Sequence, residues 1–142
     1  MLYTNFLGID ISKSSFFVAV HGQNHTKEYK NTIVGISQFI ADNQQILQNS
    51  LSIIEPTGGY EVLLIDILIA QGFKVHRVHT RKVKSFIRSF GNEAKTDNLD
   101  SKALARYGFE RQEHLELFQP NHELDKKLLQ LIQRRSDLKR CW

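Results

Sequence analysis

The chain has 142 residues, 41% of them hydrophobic, and a formal net charge of +4, enough for one core-bearing domain with or without an appendage and too apolar for a disordered polyelectrolyte. No apolar run approaches the roughly 18 residues of a membrane span, and the start Met1-Leu2-Tyr3-Thr4-Asn5 lacks a basic leader region. One cysteine, Cys141, excludes an intramolecular disulfide and fits a reducing, cytoplasmic setting.

The charge is unevenly spread. Residues 1–73 carry three Lys/Arg against six Asp/Glu, whereas residues 74–106 carry nine against three and residues 107–142 seven against six. A basic block thus follows an acidic N-terminal half, as expected of a chain that lays a polyanion across an acidic pocket.

Residues 5–11 read as a buried strand and 14–21 as its hairpin partner, with a polar edge strand at 26–31. Asn31-Thr32 opens one helix carrying Ile33, Ile36, Phe39, Ile40 and Leu47 on its apolar face. Residues 51–55 form a short buried strand ending at Glu55. The turn Pro56-Thr57-Gly58-Gly59 leads into a helix over 60–71, stopped by Gly72.

A fifth strand, 73–78, follows. The basic helix after it, about 80–90, places Val83, Phe86, Ile87 and Phe90 on one face and Arg81, Lys82, Lys84 and Arg88 on others, and Gly91 stops it. Thr96 is read as the N-cap of a helix from Asp97 to about Arg111, which sets Asp97 and Asp100 three apart on one face. A Leu-rich helix, about 121–140, closes the chain beyond a boundary near Gln119-Pro120, and serves as a brace or a self-association seam.

Three strands, then helix, strand, helix, strand, helix specify an α/β fold with a mixed five-stranded sheet and helices on both faces. This is the element order of the ribonuclease-H-like fold. Residues 1–118 are its expected extent, with 119–142 beginning a helical spacer.

Four carboxylates stand in the chemically informative positions. Asp10 and Glu55 end apolar strands, where a charge is costly unless paired or metal-bound. Asp97 and Asp100 open a helix. Each has a plain alternative: a strand-end acid capping a turn, or a first-turn acid favoured by the helix dipole. Together they form an all-oxygen set suited to Mg²⁺.

Three motifs carry a resemblance: Gly8-Ile9-Asp10-Ile11-Ser12-Lys13, Glu55-Pro56-Thr57-Gly58-Gly59-Tyr60, and Lys95-Thr96-Asp97-Asn98-Leu99-Asp100-Ser101. In this order they resemble the DEDD transposases of insertion sequences, the family that includes Piv-type DNA invertases. The match runs from residue 6 to about 107, and its one departure is Ser101 where alanine is usual.

The resemblance implies a RuvC-like catalytic domain that cuts and joins DNA strands, with branched or junction DNA among its substrates. It implies Asp10, Glu55, Asp97 and Asp100 as ligands of two Mg²⁺ or Mn²⁺ ions, with Asp10 bridging. Nucleic-acid contacts fall on Lys13, Tyr60, Arg81, Lys82, Lys84, Arg88 and Lys95. For Tyr60 a packed helix-start aromatic is the alternative, and for Lys13 a solvated loop residue. Family members continue through the spacer into a second domain that this sequence does not contain, and the full-length proteins are expected to oligomerise. Some relatives use a structured guide RNA.

His76 and His79 lack partners for zinc and read as surface histidines. Two other functions compete. A non-catalytic nucleic-acid-binding module keeps the basic block without turnover. An actin-like sugar kinase or ATPase also begins Gly-Ile-Asp but needs a glycine and a hydroxyl directly after it, where Ile11-Ser12-Lys13 stands.

Overall fold

The computed structural model describes residues 3–89 and 100–118. Its strands are β1 (Asn5–Ile11), β2 (Ser15–Val20), β3 (Thr26–Lys30), β4 (Ser50–Ile54) and β5 (Lys74–Arg77). Its helices are α1 (Ile33–Asp42), α2 (Gln44–Leu47), α3 (Val62–Ala70), α4 (Thr80–Arg88) and α5 (Ser101–Arg111), with a 3-10 turn at Gln112–His114. The sheet order is β3-β2-β1-β4-β5. The β1–β2 and β2–β3 pairs are antiparallel, and β1–β4 and β4–β5 are parallel. The mixed five-stranded sheet read from the sequence is present.

Strand alternation divides the core between the two faces. Leu7, Ile9 and Ile11 of β1 join Ile36, Phe39, Leu47, Leu64 and Leu68 under α1, α2 and α3. Phe6 of β1 and Leu51 and Ile53 of β4 join Val83, Phe86, Leu104 and Tyr107 under α4 and α5. Two glycines let α5 press onto the second face. A Cβ on Gly8 would collide with the Ser101 carbonyl oxygen and the Ala105 backbone nitrogen, and one on Gly108 would collide with Ile53. Residue 100, where α5 begins, is thereby set above β1.

Thr32 caps α1 by accepting from Gly35 N–H at 3.0 Å. The single helix expected after it is broken at Asn43, whose φ of −123° is not helical. The Asn43 side chain donates to the Phe39 carbonyl at 2.8 Å and so takes the place of the next helical turn. The helix expected from Asp97 starts at Ser101: Asp100 has extended backbone and caps α5, its Oδ1 accepting from Ala103 N–H at 2.8 Å. The expectations for Lys95 to Asp97, Phe90, Gly91, the 121–140 helix and Cys141 lie outside the described residues. Among the described residues no helix is long and apolar enough to cross a membrane.

Candidate active site

Asp10 lies on β1 two residues beyond Gly8, so alternation aims it at the α4–α5 face. Ile9 pairs with Ile54, which puts Glu55 one residue past the paired ends of the two parallel strands. Carboxyl ends of parallel strands are where open α/β sheets bind ligands.

Electrostatics tie three of the four acids together. The Asp10 carboxyl is held above its ordinary pKa by burial and then by the charge of Asp100. Glu55 is raised by burial and then by Asp10, with Lys84 pulling the other way. Asp100, an exposed residue, commits one oxygen to its capping bond. Among the described residues no group of three or more His, Cys, Asp or Glu is assembled that could hold a metal ion. The fourth acid, Asp97, lies outside those residues.

The loop after Glu55 is built by a residue the motif reading passed over. Glu61 is 1% exposed. Its Oε1 accepts from Thr57 N–H at 2.9 Å and Gly59 N–H at 3.1 Å. Its Oε2 pairs with Arg77 Nη2 at 3.0 Å. Thr57 Oγ1 donates to the Glu55 carbonyl at 3.1 Å. Gly58 and Gly59 have φ of 58° and 91°, left-handed values that admit glycine readily and let the turn close on the Glu61 carboxylate.

Tyr60 is 44% exposed in this turn, so it is not the packed helix-start aromatic; α3 begins only at Val62. Phe17, the register partner of Asp10 on β2, is also left 41% exposed, on the face Asp10 shares. An apolar ring beside a strand-end acid was a signal available in the sequence once the hairpin register was known. Lys13 is exposed in the β1–β2 turn.

The helix α4 buries Val83 and Phe86 and carries basic side chains on both flanks. Lys84 acts on Glu55 and shares its flank, by helical spacing, with Arg81 and Arg88. Lys82 lies on the opposite flank, with Ser85 and Ser89, beside a cavity of about 570 Å³ that His79, Arg111 and His114 also line. His76 is not a plain surface histidine. It is half-buried, its Nδ1 lies 2.6 Å from the Glu116 carbonyl oxygen, and burial lowers its pKa.

Residues 7–142 match the model of the DEDD transposase family of IS110 type, described as "Transposase". A pilin gene-inverting protein from Moraxella bovis is 32% identical over 141 residues, covering 95% of this chain and 43% of that protein. Its namesake from Moraxella lacunata is 31% identical over 140 residues, with the same coverage. The chain spans less than half the length of these curated relatives. With nearly its whole length matched, the chain belongs to the IS110-type DEDD transposase family.

Proposed function

We propose that this chain is the catalytic N-terminal domain of a DNA recombinase, in which Asp10, Glu55, Asp97 and Asp100 hold divalent metal for strand cleavage and joining. The observation that carries the reading is the placement of Asp10 and Glu55 side by side, one residue past the last paired positions of β1 and β4, with Asp100 capping α5 above β1; the Asp100 charge raises the Asp10 pKa and the Asp10 charge raises that of Glu55. Acids that repel one another across a half-buried site are stabilised in their charged forms by a cation.

The donors are all oxygen, which suits Mg²⁺ or Mn²⁺, and Asp100 keeps one oxygen beyond its cap. When bound, two such ions would activate the attacking oxygen and offset charge on the leaving oxygen. The chain's own part is to bind and orient. Lys84, with Arg81 and Arg88 along its flank, lies on the side of α4 that faces Glu55 and is suited to the phosphates next to the scissile one. The exposed ring of Phe17 lies on β2 opposite Asp10, and that of Tyr60 lies in the turn that follows Glu55, where an unpaired base could stack.

The test is Mg²⁺-dependent cleavage of four-way-junction and supercoiled DNA. In a full-length protein that carries this domain, cleavage that disappears in Asp10→Asn, Glu55→Gln and Asp97→Asn, each still folded, is the expected result. Cleavage retained in any of the three contradicts the four-acid site. Salt-sensitive DNA binding without cleavage by the wild type returns the chain to a binding role.

A further inference from the structure

Glu61 is the one buried charged residue among the described residues. Burying a carboxylate is costly unless it is paired and hydrogen-bonded, and Glu61 is both. The direction of its bonds is informative. It directly precedes α3, yet makes no side-chain capping bond to that helix. Every contact runs instead back to the turn that follows Glu55, through Thr57 and Gly59, or across to Arg77 at the end of β5. A merely helix-starting acid would do the reverse.

The backbone amides of Thr57 and Gly59, on either side of the left-handed Gly58, converge on Oε1, an arrangement by which nearby N–H groups cradle an anion. The turn so closed also carries the Thr57 hydroxyl that holds the Glu55 carbonyl. Glu55 therefore leaves β4 into a segment anchored at Thr57, Gly59 and Arg77.

We propose that Glu61, with Arg77 as its counter-ion, is a positioning residue that fixes the 57–59 turn and so aims the Glu55 carboxylate at the divalent cation. This rests on the reading that Glu55 is a metal ligand. It adds a fifth acid that touches neither metal nor DNA, and it assigns Arg77, at the end of the basic block's first strand, to the loop rather than to a phosphate.

The experiment is Mn²⁺ titration followed by electron paramagnetic resonance on the chain, with circular dichroism to verify folding. Glu61→Ala is expected to weaken Mn²⁺ binding by about tenfold or more, the usual cost of removing a group that orients a ligand. Glu61→Gln is expected to recover most of the affinity, because an amide oxygen still accepts from Thr57 and Gly59. Leu64→Ala, a core truncation in α3, should lower thermal stability while leaving affinity within about twofold, separating positioning from general loosening. A folded Glu61→Ala that binds Mn²⁺ like the wild type overturns the proposal. Should Glu61→Ala fail to fold, Arg77→Met decides: a loss of about threefold or more supports the proposal, and unchanged affinity overturns it. Asp10→Asn in the same series isolates the underlying reading. If it binds as tightly as the wild type, the metal site itself is wrong and the Glu61 role falls with it. If only Asp10→Asn loses binding, the metal site stands and Glu61 does not act on it.

Discussion

Asp10 and Glu55 each hold protons more tightly in the folded chain than an unfolded one would. Folding therefore favours proton uptake, so their contribution is fully present below the ordinary carboxyl range, near pH 4, and is lost as pH rises through the raised values. In metal-free protein at neutral pH, Asp10→Asn should raise the melting temperature, and the gain should shrink toward about pH 4. A melting series across that range checks it; a mutant less stable than the wild type at neutral pH would contradict the coupling. Added Mn²⁺ should reverse the ranking, because it compensates the wild-type charge and has less to bind in the mutant. Pairing of β1 with β4 sets Asp10 and Glu55 side by side, and their placement at the ends of strands was legible from the apolar runs that precede them. The role of Glu61 was not, since a glutamate at a helix start has an ordinary explanation and only its bonds back to the turn remove it.

Among the elements, α5 does most to shape the site. Its approach to β1 depends on Gly8, so Gly8→Ala should push α5 outward, cost about 1–3 kcal/mol, and carry Asp100 away from Asp10. Urea unfolding measures the first effect. A weaker rise of the Asp10 pKa, read by NMR titration, reports the second. The flanks of α4 make a separate prediction. Lys84→Ala should weaken DNA binding and reduce the slope of log K against log salt by about 0.9, the amount for one lost phosphate contact. An unchanged slope would remove Lys84 from the DNA path. Periodicity located α4 and its apolar face well, because Val83 and Phe86 are buried as read. It missed the start of α5, since Thr96, Asp97 and Asp100 are all good caps by residue type and tertiary placement over Gly8 selects the last. It also ran α1 through Asn43, where a side-chain bond to the Phe39 carbonyl competes with the helix.

At the scale of the molecule, the order of elements was legible because the strands have distinct signatures: β1 and β4, towards the centre, are rich in buried apolar residues, and β3, at an edge, is polar. The same order brings acids from strands far apart in sequence to one end of the sheet, with the basic block of α4 beside them. That juxtaposition is the central claim, and a crystal of the chain soaked in Mn²⁺ tests it most directly. The expected result is anomalous density within coordination distance, about 2 Å, of carboxylate oxygens from both Asp10 and Glu55. Mn²⁺ bound only elsewhere, with Asp10 and Glu55 free of it at saturating metal, would contradict the account.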